Sequence, residues 1–503
     1  MPTFRSKIVD ISTRSRLILL NIKDAERLGM TTHDRAKLTK DERSAPAIVN
    51  TTETFVEPGD IGVFLDTAKE LGIVEGDPVT VTLLPPQTSV QYIKKKMRGE
   101  KLANHEINNI IKDVVDRSLS EIEITAFIIG QQYHGMGMDE IEALTRAMVE
   151  HGSTIDFQKP VFDKHSLGGI PGNKVSLLIV PIVAAAGLLI PKTSSRAITS
   201  PSGTADTMST LAPVDFSASE LKAIASKTNG AIIWGGSLNL APADDIFIGV
   251  EYPLQIDPES QMLASIMAKK LAVGTDYLVL DLPVGREAKV ETSEQARSIS
   301  NQLIELGERL GVRTKCGITY GGQPVGYSVG PALEAKEALL ALDGRGPTSL
   351  VEKSTALAGL LFELAGKASR GKGQDLATEI LASGRALKKM REIIEAQGGD
   401  PRVKPDELPV GEKKVQVNAP CDGYITRVSN RGITAIARAA GAPIEKGAGV
   451  VFYGKEGHKV KKDQTILEIH AEREARLDEA YQMALKLKPI TLEGMLLQEI
   501  PEL

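Results

Sequence analysis

Cysteine is nearly missing from this chain of 503 residues, where only Cys316 and Cys421 occur. Two are too few for a disulfide framework or a cysteine-based metal motif, and both are expected to be small buried side chains. Charge of one sign is also missing: 60 Lys and Arg face 65 Asp and Glu, a net charge of -5. That balance excludes a sequence-wide attraction to nucleic acid polymers or anionic membranes and favours a small-molecule partner. The longest apolar run, Leu177 to Ile190, contains Pro181 and falls short of the roughly 20 residues a bilayer span needs. The start, Met1 to Ser6, lacks the apolar core of a signal peptide, so a soluble, cytoplasmic protein is expected. No metal-ligand cluster stands out, and neither a metal nor an organic cofactor is expected.

What the chain does have is a pair of glycine- and hydroxyl-rich loops, Asp163-Lys164-His165-Ser166-Leu167-Gly168-Gly169 and Ser194-Ser195-Arg196-Ala197-Ile198-Thr199-Ser200-Pro201-Ser202-Gly203-Thr204. Glycine lets backbone N–H groups approach an oxyanion, Lys164 and Arg196 bring charge, and the hydroxyls offer directional donors. A single such loop is as readily a connector. Two with cations point to a bound phosphate. The apolar run Val175 to Val180 reads as a buried helix beginning near Gly172, whose N-terminus would face the same anion.

The length implies several domains, and the patterns suggest a multidomain α/β plus all-α fold. Residues 1–86 carry an internal repeat, Asp24 to Met30 against Thr67 to Ile73, each followed by an Asp turn (Asp34, Asp77) and a strand-like run. That duplication suggests a small interlocked β-rich barrel, closed by Pro85 and Pro86. Residues 91–157 turn helical, with Ile107, Ile110, Ile111 and Val114 at helix spacing and a capping box at Ser120 and Glu123. Lys94, Lys95 and Lys96 read as a solvated face. A second helical segment covers about 244–272. After Phe157 the chain alternates strands (Gly230 to Trp234, Tyr277 to Asp281) with helices (Met262 to Leu271, Ser293 to Leu310), as in an α/β sheet with ligand loops at one edge, and residues 158–243 and 273–400 are assigned to that α/β domain. Residues 401–503 form an α+β, barrel-like portion with strands at Val415 to Val417 and Gly423 to Ile425. Ala419 to Gly423 superficially suggests a lipoyl or biotin carrier with Lys455 or Lys459 as the modified lysine, but neither lysine has the usual flanking residues, so a structural barrel is expected.

Lys164 to Gly169, Ser195-Arg196, Gly203 to Asp206, Asn239 to Asp244, Ala264 to Lys270 and Gly322 to Gly326 together resemble the thymidine and pyrimidine nucleoside phosphorylase family, in family order. The resemblance implies a helical domain facing a larger α/β domain, with phosphate on the α/β side and the nucleoside bridging between them. It implies that Lys164, Ser166, Ser176, Ser194 and Thr204 cradle the attacking phosphate, that His165 lines the pocket, and that Ser265 and Lys269 contact the base. It also implies homodimers joined through the helical domain, with larger assemblies driven by the duplicated barrel.

Pyrimidine enzymes of the family carry an arginine upstream of the Ser265 motif, yet no arginine occurs between Arg196 and Arg286. Gln255 to Ser260 stands there instead, which resembles the AMP phosphorylase branch. That branch converts AMP and inorganic phosphate to adenine and ribose 1,5-bisphosphate; CMP and UMP stay open, since pocket shape decides breadth. Breaking an N-glycosidic bond passes through an oxocarbenium-like state, and a purine leaves best when protonated. Asp257 fits that acid if a low-polarity pocket keeps it protonated; its bland alternative is a cap for the following helix. A nucleotide needs further donors for its 5'-phosphate. Ser195, Arg196, Ala197, Ile198, Thr199 and Ser200 with Lys289 are the candidates, and the resemblance adds Gly169 and Thr204 to the AMP contacts. The competing readings are a thymidine or pyrimidine nucleoside phosphorylase, a magnesium-dependent phosphoribosyltransferase and a nucleotide sensor without turnover.

Overall fold

The repeat in the first eighty residues folds into a closed six-stranded barrel, ordered Thr3–Val9, Asp60–Phe64, Leu17–Asn21, Arg43–Thr52, Arg35–Lys40 and Pro78–Leu83. Side chains alternate in and out with period two, so Ile18, Leu20, Leu38, Val49, Ile61, Val63, Val79 and Val81 fill the interior with no exposure. Each copy contributes one helix, Ile22–Leu28 or Leu65–Leu71. Both helices end on a left-handed glycine, Gly29 at φ 65° and Gly72 at φ 66°. The two Asp turns are equivalent as well: Asp34 accepts from Thr31 N at 2.6 Å, and Asp77 from Val74 N at 2.8 Å.

The computed structural model describes every residue except Met1, Arg14, Pro86, Ile198, Thr199 and 496–503, and it divides the chain into two units. The first unit is Met1–Gly152 with Ala241–Ala268 and holds the barrel and the helical domain. Helices Thr88–Met97, Asn104–Val115, Glu121–His134 and Met138–Glu150 pack with Pro242–Leu254, and the start of Glu259–Ala272 joins them through Ser260 and Gln261, which hydrogen-bond Gln131. Phe127 against Phe247 (ring centroids 6.0 Å apart) ties the inserted segment into this core. The Ser120 capping box forms, with Glu123 accepting from Ser120 N at 2.8 Å. Arg35 of the barrel reaches the same cap, donating to Ser118 O at 2.6 Å and pairing with Glu123.

One expectation fails here. The lysine triplet is not wholly solvated: Lys94 is exposed, but Lys96 is buried on the inner side of its helix, with Nζ 3.2 Å from Glu140. Glu140 also accepts from Leu102 N and Gly137 N, both at 2.9 Å, so this carboxylate ties the start of its own helix to the loop before helix Asn104–Val115.

The second unit is Ser153–Leu240 with Lys269–Leu503. Its parallel three-stranded sheet runs Arg313–Tyr320, Tyr277–Val284, Phe162–Ser166, beside a parallel pair Ile190–Ser194 and Gly230–Trp234. Parallel pairing requires crossovers, which the intervening helices provide. The helix of the apolar run spans Ser176–Ala185 and is buried along its length. It starts four residues after Gly172 because Gly172 turns the chain at φ 72°, where a Cβ would lie 2.6 Å from Val325 O.

The C-terminal region has a sheet ordered Ser328–Val329, Gly449–Phe452, Thr465–Ala471, Lys413–Asn418, so its edge is a two-residue strand from far upstream. A second sheet pairs Gly423–Val428 with Lys459–Val460 and Ile490–Glu493, while helices Asn430–Ala439 and Glu474–Leu487 pack on each other and on the first sheet. Lys455 is buried against the rings of Tyr327 and Phe452, with its ammonium on Pro324 O. It therefore packs inward and does not stand out as a carrier arm. The expectation of two buried cysteines is also corrected: Cys316 is half-buried and Cys421 is exposed, on the turn before Gly423–Val428. No described helix is long and apolar enough to cross a membrane.

Removing one partner of a buried ion pair leaves the other charge uncompensated, at a cost of about 3 kcal/mol or more. Lys96→Met is therefore expected to lower the unfolding temperature of the protein, and Lys96→Met with Glu140→Gln to recover part of the loss; calorimetry that finds the single variant as stable as wild type would exclude a structural role for the pair.

Candidate active site

Strand Phe162–Ser166 puts charged residues where a parallel sheet is normally apolar. Asp163 and Lys164 are both buried, and the neighbouring strand Tyr277–Val284 sets Asp281, with no exposure, opposite Ser166. Ser166 donates to Asp281 at 2.6 Å, Thr319 donates to it at 2.5 Å, and Lys353 lies 3.1 Å away. Lys164 bonds Ser166 and stands 3.9 Å from Asp281. On the other side, Asp163 takes Lys270 at 2.6 Å and Lys192 at 3.6 Å.

Four lysines thus face two carboxylates away from water. Burial pushes both carboxyls up, but the lysines outweigh it: Lys192 and Lys270 hold Asp163, and Lys353 and Lys164 hold Asp281, below the usual carboxylate range. The lysines carry the opposite burden. Burial brings Lys164 down to about 8 despite Asp281, and it lowers Lys353 and, much further, Lys192. His165 is held well below its ordinary value by burial and then by Lys270, Lys192, Lys164 and Lys269, so its imidazole is neutral. A bound anion reverses the strain on such lysines.

The second loop leaves strand Ile190–Ser194 with the Ser194 hydroxyl buried and without a hydrogen-bond partner among the described residues. Asp206 organises the rest of that loop, accepting from Ala197 N at 2.6 Å and Gly203 N at 2.9 Å. Gly203 is required sterically, since a Cβ there would meet Ser195 O at 2.6 Å. Arg196 lies over the Trp234 ring at 4.9 Å and pairs with Asp215 at 3.0 Å and Asp206 at 3.7 Å. Thr204 opens the short helix Thr204–Met208, and Ser176, buried, opens Ser176–Ala185. Ile198 and Thr199 lie outside the described residues.

Gly169, at φ 100°, faces the backbone of Lys289, whose N would be 3.3 Å from a Cβ there. The turn that carries Lys289 is clamped through Glu287, which pairs with Arg427 and accepts from Ser429 Oγ at 2.9 Å and Arg431 N at 3.0 Å. Gly169, Ser195, Arg196 and Ser200 open onto one cavity of about 920 Å³ that is also lined by helix Asn430–Ala439. Lys164, Ser166, Ser176 and Ser194 are not among its lining residues.

Asp257 and Ser265 belong to the other unit. Ser265 sits on helix Glu259–Ala272, and Asp257 on the turn before it, where the first helical bond runs from Met262 N to Pro258 O at 2.9 Å. Asp257 is exposed, so the low-polarity surroundings its acid role demands are not supplied by its own turn, flanked as it is by exposed Leu254, Gln255 and Glu259. Lys269, in the last turn of that helix, contributes to the field on His165. Sequence reasoning missed Asp163, Asp281, Lys192, Lys270, Thr319 and Lys353. The available signal was Asp281 itself, a charge inside the apolar strand Leu278 to Val284, which only paired cations can accommodate.

Family models match three segments in order: the glycosyl transferase family helical bundle domain at residues 90–152, the glycosyl transferase family a/b domain at 158–387, and the pyrimidine nucleoside phosphorylase C-terminal domain at 424–491. The anthranilate phosphoribosyltransferase of Thermus thermophilus shares the fold, with a TM-score of 0.50 and 21% identity over 61% of this chain and 98% of that one. The architecture is that of a glycosyltransferase with a helical and an α/β domain. AMP phosphorylases of Pyrococcus furiosus (99% of each chain) and Thermococcus kodakarensis (98% of each) are both 51% identical to this sequence. The AMP phosphorylase of Methanosarcina mazei is 51% identical over 96% of each chain, and this chain belongs to the AMP phosphorylase family.

Asp281→Asn would leave Lys164 and Lys353 facing a neutral amide. The expected result is a loss of about 3 kcal/mol in stability, seen as a lower unfolding temperature; a variant that melts with wild type would show that the cluster does not hold the sheet together.

Proposed function

We propose that the protein catalyses phosphorolysis of AMP by inorganic phosphate, releasing adenine and ribose 1,5-bisphosphate. The observation that carries this reading is the half-identity to AMP phosphorylases along nearly the whole chain. The buried lysine cluster beside two hydroxyl-rich loops supports it. Lys164, Ser166, Ser176, Ser194 and Thr204 hold the attacking phosphate. Gly169, Ser195, Arg196, Ala197, Ser200, Lys289 and Ser265 hold AMP, as do Ile198 and Thr199. His165 lines the pocket as a neutral imidazole, and Lys269 contacts the base.

In the reaction a phosphate oxygen forms a bond to C1', the C1'–N bond breaks, and adenine leaves with a proton taken from Asp257. Asp257 is exposed, so this role requires the bound nucleotide to cover it and exclude water. CMP and UMP are further substrates within this reading. The enzyme works in the cytoplasm as a homo-oligomer built from dimers; exposed Ile122 and Tyr133 on helix Glu121–His134 offer an apolar contact for a second copy.

The direct test is free adenine released from AMP only when phosphate is present. Adenosine or thymidine cleaved as readily as their monophosphates would favour a nucleoside phosphorylase. Asp257→Asn is expected to lower kcat by about 10²- to 10⁴-fold, the usual worth of a general acid, while AMP still binds; full activity in the variant would remove Asp257 from the mechanism.

The lysine cluster adds a pH signature. Phosphate binds the ammonium form of Lys164, whose value in the unliganded protein lies at about 8. Affinity is thus complete below that pH and falls as pH rises through it, by up to about tenfold per unit, until the raised value of the complex is reached. Calorimetric titration with phosphate from neutral to alkaline pH should show this loss and Lys164→Met should reduce it, the other buried lysines keeping the remainder; a flat profile in wild type would contradict the assignment.

A further inference from the structure

We propose that Arg431 and Arg438, on helix Asn430–Ala439 of the C-terminal region, bind the phosphate esterified to the ribose and thereby select a nucleotide over a nucleoside. The inference deepens the AMP phosphorolysis reading and rests on it. Arg431, Thr434, Ala435 and Arg438 repeat at intervals of three and four, which puts them on one face of the helix, opposite buried Ile433, Ile436 and Ala437. That face lines the cavity of about 920 Å³ onto which Gly169, Ser195 and Ser200 also open. Contact with the loop is direct, since the Arg438 guanidinium donates to Ser200 O at 3.2 Å.

Two further arginines line this cavity with carboxylate partners: Arg196 pairs with Asp215 and Asp206, and Arg476 with Glu479 at 3.0 Å. Arg431 is exposed, and its guanidinium makes no ion pair among the described residues. Its backbone N–H is fixed on Glu287, two residues from Lys289, so the side chain starts beside a residue already expected to meet AMP. The ammonium groups of the strand-end cluster lie outside this cavity, which leaves two separate positive regions for two phosphoryl groups. A guanidinium fork is matched to a phosphate monoester dianion and keeps its charge at any working pH.

Steady-state kinetics of the full-length enzyme with AMP, and calorimetric binding of ribose 5-phosphate as a probe that carries the ester phosphate without a base, test the proposal. For Arg431→Gln we expect KM for AMP and Kd for ribose 5-phosphate to rise together by about tenfold, the usual worth of one charge-assisted hydrogen bond. Arg431→Gln with Arg438→Gln should exceed that, Arg431→Lys should recover part of it, and KM for inorganic phosphate should change less than twofold. Unchanged constants in the double variant would overturn the proposal, and so would an equal rise in the KM for inorganic phosphate. A wild type that binds ribose 5-phosphate through these arginines but releases no adenine would overturn the activity reading and leave the anion site standing.

Discussion

Two carboxylates sealed from solvent on the parallel sheet, Asp163 and Asp281, hold four lysine side chains that reach them from strands and from neighbouring helices, and the candidate site is built on that arrangement. Buried ion clusters are weak contributors to stability, because desolvation offsets most of the Coulomb attraction. The depressed values of Lys164, Lys192 and Lys353 record that cost directly. A cluster with more cations than anions is better suited to a guest than to the empty fold. On the proposed reading, a phosphate dianion supplies the missing negative charge, the lysines regain full protonation, and binding energy comes from relieving a strain that folding has already stored.

Much of this was legible in the chain. The repeat around Asp24 and Thr67 gave away the barrel because identical helix ends need a glycine at the left-handed position in both copies. Alternating strands and helices announced the α/β sheet, whose strands prove parallel. What escaped was long-range partnership. Lys353 lies on helix Thr348–Leu364, far along the sequence from Asp281, and periodicity says which face a residue occupies but not which charge waits opposite. Lys96 was misread for the same reason: three adjacent lysines on a helix point in three directions, and one of them had to turn toward Glu140. The edge strand Ser328–Val329 is too short to leave any pattern.

The C-terminal region is more than an appendage to the α/β domain. Glu287 collects Arg427, Ser429 and the backbone of Arg431, and Asn430 donates to Gly321 O at 2.9 Å, so helix Asn430–Ala439 begins on two turns that follow strands of the α/β sheet. Lys455 makes a second tie from the same side. Burial, with Lys174 nearby, lowers it to about 7, and it stays because Pro324 O and two aromatic rings receive it. These contacts fix the loops on which the substrate reading depends, and they explain why a lysine with the look of an acceptor is structural.

The two positive regions differ in chemistry, and the difference fits two roles for phosphate. An attacking phosphate must be gripped, keep a nucleophilic oxygen, and leave as part of the product. Lysines whose protonation responds to the bound charge suit that cycle, since their affinity falls when the charge moves away. An esterified phosphate only has to be held through the reaction, and permanently charged guanidinium groups suit a grip that never changes. Exchanging the two would weaken both functions: arginines beside the nucleophile would hold product as firmly as substrate, and tunable lysines in an open, wet cavity would have no burial to tune them.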